Sequence, residues 1–223
     1  GGFQLKDGAA LEAEFRFPYG LAVDEKGNLL IADSYSHAVR KLAEGKVTTI
    51  TGGNELLDAY GFPFGEYRDG NVTTARFYRP RDVAVDSKGT IYILDTGNHS
   101  IRKISEDKVF TLAGNGSAGY KNGKAGDAAF NHPTAMVIDS EDHIYVADTL
   151  NHCIRKITPA GEVSLYAGIP GEAAGYRDGG RSEARFNEPA GLALDASGHL
   201  YVADSGNQVI RKIDAEQVTT FAG

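Results

Sequence analysis

The stretch ILDTGNHSIRKI at 93–104 is one of four copies of a single phrase. The others read IADSYSHAVRKL (31–42), VADTLNHCIRKI (146–157) and VADSGNQVIRKI (202–213). Each copy follows a proline and a short apolar run closed by aspartate, and each precedes a β-branched or aromatic run that leads to glycine. A unit this small cannot bury a core alone, so its repetition indicates a repeat architecture and outweighs any single-residue signal.

Anchor residues set the period. Pro18, Pro80, Pro133 and Pro189 lie 62, 53 and 56 residues apart. Asp24, Asp86, Asp139 and Asp195 close one run, Asp33, Asp95, Asp148 and Asp204 the next, and Arg40-Lys41, Arg102-Lys103, Arg155-Lys156 and Arg211-Lys212 mark a third. The length differences fall between Gly52, Gly114 or Gly168 and the next proline, so that part is a linker. The repeats span roughly 13–52, 75–114, 128–168 and 184–223 of one domain over 1–223, with 1–12 as a closing linker.

The second repeat shows the grammar of the unit. Residues 81–86, 90–94, 100–104 and 108–112 are short β-branched and aromatic runs, separated by Ser-Lys-Gly, Asp-Thr-Gly-Asn and similar turns. No segment sustains a helical period, and there are 28 glycines. Four antiparallel strands per unit make a sheet that is apolar on both faces and must be covered by its neighbours. Radial stacking satisfies this, so the expected fold class is all-β, a β-propeller of four blades.

Within D-[ST]-x-N-H-x-I-R-K-I, the pairs Asn98-His99 and Asn151-His152 resemble the NHL repeat, a propeller repeat named for Asn-His-Leu. The resemblance covers essentially the whole chain. It departs at Ser36-His37 and Asn207-Gln208, and Ala38, Ser100, Cys153 and Val209 stand in place of Leu. Those departures point to a turn-shaping role for the pair rather than a shared catalytic one.

The linkers repeat a second phrase. Asp69-Gly70 leads to Ala75-Arg76-Phe77, Asn122-Gly123 to Ala128-Ala129-Phe130, Asp178-Gly179 to Ala184-Arg185-Phe186, and Asp7-Gly8 to Ala13-Glu14-Phe15. Four whole periods favour a ring closed at the two termini, hence a monomer. The alternatives are two chains forming an eight-bladed ring and an arc of the six-bladed ring that the resemblance implies.

Composition narrows the function. With 23 basic and 30 acidic residues the net charge is −7, which disfavours nucleic acid because phosphate contacts need clustered Lys and Arg. No run of 18 apolar residues suggests a membrane span. No signal-peptide pattern opens the chain, and its compartment is not readable, although the resemblance allows an extracellular setting. The lone Cys153 lies among apolar strand residues and reads as a small buried hydrophobe rather than a nucleophile.

The repeated aspartates read as turn residues that accept backbone N–H bonds, not as a calcium site. The repeated arginines read as stems packed between blades and paired with an aspartate. Function is expected where the repeat diversifies, at the starts of the inner strands and the tips of the following turns. These positions hold Phe17, Tyr19, Arg79, Arg81, His132, Thr134, Glu188 and Ala190, with Tyr35, His37, His99, Leu150, His152 and Gln208. Arg79 and Arg81 could hold an anion bidentately. The aromatic linker segment Tyr60–Gly65 could form a partner-binding tip.

The preferred reading is a non-catalytic scaffold for a protein, peptide or carbohydrate on the central face, with no cofactor and no metal. One alternative is a metal-dependent hydrolase or lyase at the central channel, with His132, Glu188 and Asp82 as its thin set of candidates. Another is RNA binding, as the resemblance implies for some NHL domains.

Overall fold

The computed structural model describes residues 5–53, 57, 64–171 and 173–223. They form two compact units, Gly1–Leu112 and Ala113–Gly223, each with two antiparallel sheets of five strands. The fold class is all-β, with four propeller blades.

The first blade contains β1 (Gly8–Ala9), β2 (Pro18–Val23), β3 (Leu29–Asp33), β4 (Ala38–Ala43) and β5 (Lys46–Gly52). The second contains β6 (Gly70–Asn71), β7 (Asp82–Val85), β8 (Ile91–Asp95), β9 (Ser100–Ser105) and β10 (Lys108–Ala113). In the other unit, the third blade contains β11 (Gly123–Lys124), β12 (Ala135–Ile138), β13 (Ile144–Asp148), β14 (Cys153–Ile157) and β15 (Glu162–Ala167). The fourth contains β16 (Gly179–Gly180), β17 (Pro189–Leu194), β18 (Leu200–Asp204), β19 (Val209–Ile213) and β20 (Gln217–Ala222).

The four strands expected per blade are all present. The fifth is a two-residue piece of the preceding linker that joins the outer edge, as in the order β1-β5-β4-β3-β2. Gly8 pairs with Val47, Gly70 with Val109, Gly123 with Val163 and Gly179 with Val218. Each linker is therefore built into the blade that follows it in sequence.

A buried arginine holds it there. Arg40, Arg102, Arg155 and Arg211 are fully buried. Nη1 of each pairs with the aspartate that ends the second long strand, at 2.9 Å to Asp33, 2.7 Å to Asp95, 2.7 Å to Asp148 and 3.0 Å to Asp204. Nη2 reaches the linker, at 2.7 Å to Asp7, 2.6 Å to Asp69, 2.7 Å to Asn122 and 2.6 Å to Asp178. The linker phenylalanine of the same repeat lies against the guanidinium, with Phe77 and Phe186 each 5.1 Å and Phe130 4.9 Å from it. The pairing of each arginine with an aspartate is as expected from sequence, and the structure adds the bond to the linker of the same blade.

The two aspartate sets also part company. Asp24, Asp86, Asp139 and Asp195 are the expected turn residues. Oδ1 of Asp86, for example, accepts from the N–H groups of Lys88 at 2.9 Å and Thr90 at 2.8 Å. The second set is an ion-pair hub instead. The other oxygen of Asp95 accepts from the backbone N–H of Tyr78 at 2.8 Å. Burial pushes the Asp95 carboxyl up to about 6, against the pull of Arg102, Asn98 and that N–H. It raises Asp148 and Asp33 as well.

Cys153 is buried, and burial beside Asp148 pushes its thiol up, away from thiolate chemistry. Among the described residues no helix is long and apolar enough to cross a membrane.

Removing one partner strands a buried charge. Arg102→Ala is therefore expected to destabilise the first unit by about 3–5 kcal/mol. Asp69→Asn keeps an acceptor in place, as Asn122 does naturally, and is expected to cost about 1 kcal/mol. Urea unfolding of both variants measures the difference.

Candidate functional site

The residues at the starts of the inner strands share a backbone feature that the sequence did not announce. Phe17, Arg79, His132 and Glu188, each just before its proline, adopt φ of 52°, 50°, 53° and 49°. This left-handed conformation costs a non-glycine residue about 1–2 kcal/mol. Glycine or asparagine would relieve it, yet four different large side chains stand there. Strain held at positions whose identity does not repeat is a physical pointer to a site.

The turn tips are left-handed as well. Single 3-10 turns at Ser34–Ser36, Thr96–Asn98, Thr149–Asn151 and Ser205–Asn207 end on His37, His99, His152 and Gln208, with φ of 52°, 51°, 52° and 60°. The asparagine secures the turn. Asn98 Nδ2 donates to Asp95 Oδ2 at 2.9 Å and to the linker carbonyl of Glu66 at 2.9 Å. Asn151 and Asn207 do the same in their own repeats.

The histidine then ties two blades together inside each unit. Nδ1 of His37 accepts from the backbone N–H of Arg79 at 2.9 Å, and Nδ1 of His152 accepts from Glu188 N–H at 3.1 Å. An accepting Nδ1 is unprotonated, so both rings are neutral in this arrangement. Two residues expected to bind ligand thus have structural roles: they hold the strained residue before the proline.

In the first unit, four expected positions, Phe17, Tyr35, His37 and Arg79, converge with one further aromatic residue, Tyr78. The Arg79 guanidinium lies 4.8 Å from the Tyr35 ring and 5.3 Å from the Tyr78 ring. Phe17 packs on Tyr35 at 4.7 Å, and His37 on Tyr78 at 5.5 Å. Arg81 lies 4.9 Å from the ring of Tyr19. Phe17, Tyr19, Tyr78 and Arg79 are exposed. A guanidinium stacked on an aromatic face keeps its N–H edge available for a planar anion. The sequence reading missed Tyr78. Its signal was present, since Asn131 and Asn187 hold the equivalent place in two other repeats.

Gly20 permits the approach of the two inner strands. A Cβ there would lie 2.5 Å from Cα of Asp82, so only glycine fits between β2 and β7.

In the second unit Thr134, the equivalent of Arg81, is engaged in hydrogen bonding. Thr134 Oγ1 lies 2.7 Å from Thr149 Oγ1, and Thr149 donates to the Pro189 carbonyl at 2.8 Å. Glu188 and Leu150 are exposed, and His132 is half-buried. Burial lowers the pKa of His99 in the first unit. Among the described residues no three His, Cys, Asp or Glu side chains converge as a metal requires. His132, Glu188 and Asp82 do not form such a group. Of the aromatic linker tip, Tyr60–Pro63 lie outside the described residues.

The NHL repeat model matches residues 15–42, 77–104, 130–157 and 186–213, half of the chain. The chain belongs to the NHL repeat family. It is 30% identical over 230 residues to Teneurin-3 of Mus musculus, aligning 92% of this chain with 8% of that protein's length. Among solved structures, 93% of the chain superposes on 65% of a chain in a nidogen/laminin complex, with a TM-score of 0.65 and 17% identity. A virginiamycin B lyase from Staphylococcus aureus gives a TM-score of 0.56 at 17% identity, over 98% of this chain and 74% of that one. At such identities these likenesses show the fold alone, and the fold serves both binding and catalysis.

The His37 bond can be tested apart from any ligand. His37→Leu is expected to leave the Arg79 N–H without its acceptor, at a cost of about 1–3 kcal/mol. His37→Gln, which mirrors Gln208, should retain most of the stability. Thermal melts and amide exchange at Arg79 compare the two.

Proposed function

We propose that this NHL protein is a non-catalytic binding module, and that its ligand engages the inner-strand starts of the first unit. One observation carries the reading. Arg79 is held in a left-handed conformation, and its exposed guanidinium is stacked between Tyr35 and Tyr78. Backbone strain, aromatic packing and the bond that the Arg79 N–H donates to His37 all fix the direction of that cation before any ligand arrives. Preorganisation of this kind lowers the ordering cost of binding.

Arg81 on Tyr19 supplies a second cation beside exposed aromatic surface. Arginine and tyrosine together are typical of protein-binding hot spots. The chemistry that fits is a carboxylate-bearing partner, namely an acidic peptide segment of another protein. An acidic saccharide offers the same anionic groups with less apolar surface for Phe17 and Tyr19. The net charge of −7 favours discrete pairing at these two arginines over general attraction of polyanions. The nidogen/laminin likeness agrees with a binding role for such a fold.

The test uses a fluorescent glutamate-rich peptide, with a neutral peptide, an acidic oligosaccharide and a single-stranded RNA as comparisons, at low ionic strength. The acidic peptide is expected to bind. A charge-assisted bond contributes about 1.5–3 kcal/mol, so Arg79→Ala is expected to weaken binding roughly 10- to 100-fold. Glu188→Gln, in the other unit, should leave it unchanged. Equal binding by wild type and Arg79→Ala would contradict the assignment, and salt-sensitive binding of RNA alone would point to the nucleic-acid reading.

A further inference from the structure

The arginine clamp is built four times, and one copy departs from the other three. In the first, second and fourth blades the linker carboxylate has two tasks. Its Oδ1 takes the buried arginine, and its Oδ2 takes a backbone N–H of the blade's last long strand. That N–H belongs to Thr49 at 2.8 Å, Thr111 at 3.0 Å and Thr220 at 3.0 Å. The threonine hydroxyl also bonds to the carboxylate, at 3.0, 3.2 and 3.1 Å. It lies 3.0 Å from the linker hydroxyl of Tyr67 in the second blade and 2.7 Å from that of Tyr176 in the fourth.

The third blade lacks both halves of this seam. Asn122 stands for the aspartate and Leu165 for the threonine. The strand register confirms the match: Leu165 faces Arg155 as Thr49 faces Arg40 and Thr220 faces Arg211. Asn122 Oδ1 accepts from Arg155 Nη2 at 2.7 Å. In place of the second oxygen is an amide nitrogen, which donates and cannot accept the Leu165 N–H. Leucine has no hydroxyl to offer the linker. What holds this linker is the pairing of Gly123 with Val163 and Lys124 with Glu162, the bond from Arg155 Nη2 to the Lys121 carbonyl at 2.9 Å, and the Tyr120 ring 4.4 Å from the guanidinium.

We infer that the segment from Gly119 to Phe130 is a strap that opens from the outer edge of the third blade while the blade itself stays folded. The segments around Asp69 and Asp178 open only with their blades. Local opening free energy follows the bonds that must be broken, and the strap has fewer of them at its clamp. Opening unpairs β11 from β15 and leaves the backbone edge at Val163 able to accept another strand. The strap runs directly into Asn131 and His132, so it also connects the outer rim of the blade to the strained start of its inner strand. This device is independent of the Arg79 site, which belongs to the first unit.

Native-state hydrogen exchange, corrected for intrinsic rates, tests this on matched amides. Lys121 and Ala129 bond to each other across the third linker at 3.3 and 3.1 Å, as Arg177 and Arg185 do across the fourth at 3.4 and 3.0 Å. The Ala129 N–H is expected to exchange roughly 10-fold or more faster than that of Arg185, and than that of Ile154 in its own blade. Asn122→Asp combined with Leu165→Thr supplies the missing bonds and should slow Ala129 roughly 10-fold. The reverse pair, Asp178→Asn with Thr220→Leu, should speed Arg185 by a similar factor. Equal protection of Ala129 and Arg185 in the wild type would overturn the inference. So would an Ala129 rate that the aspartate and threonine substitutions fail to slow.

Discussion

Each repeat depends on a cation withdrawn from water. The guanidinium of Arg102 is reached by two carboxylates, a strand end and a linker, that lie far apart in sequence. It also takes the Arg76 carbonyl and lies against Phe77 and Tyr67. A buried ion pair adds little over a well-packed apolar core. Its effect here is positional, since five planar donors accept only one arrangement of partners. The linker is thereby fixed to the blade it precedes, the two-residue outer strand can pair, and the aspartate can hold Tyr78 N–H. The strained residue after Tyr78 begins from that anchored point.

From the same point follows the site. Arg79 would relax if its backbone were free, but its N–H is bound to His37 and the next residue is Pro80. The energy that holds it comes from the blades on either side. Side-chain identity at this position is therefore separate from the packing that maintains the backbone, and Phe17, Arg79, His132 and Glu188 can differ without altering the fold. This separation of scaffold from presented group explains how one repeat can host many binding surfaces.

Much of the fold was legible because its signals are local. Asp86 and its equivalents bond to N–H groups two and four residues on, and the alternating apolar runs that follow are strands. The partner of Arg102 in the linker was visible as the repeated Asp-Gly phrase, but a separation of 33 residues hid the contact. The fifth strand escaped notice because Gly70-Asn71 has no β-propensity of its own and is paired only by virtue of the clamp. The left-handed residues before the prolines run against the local expectation of extended backbone there. Likewise, the structural partners of His37 and His152 were hidden because they belong to the next blade.

The central claim is that linker and blade form one cooperative piece held by the buried arginine. Native-state hydrogen exchange tests it most directly. The Thr111 N–H bonded to Asp69, the Arg76 N–H bonded within the linker, and amides of the second blade such as Ile101 report on the two parts. The account predicts that all three open with the same free energy, and that all three fall together in Arg102→Ala. Linker amides that exchange at a much lower free energy than Ile101 in the wild type would contradict it.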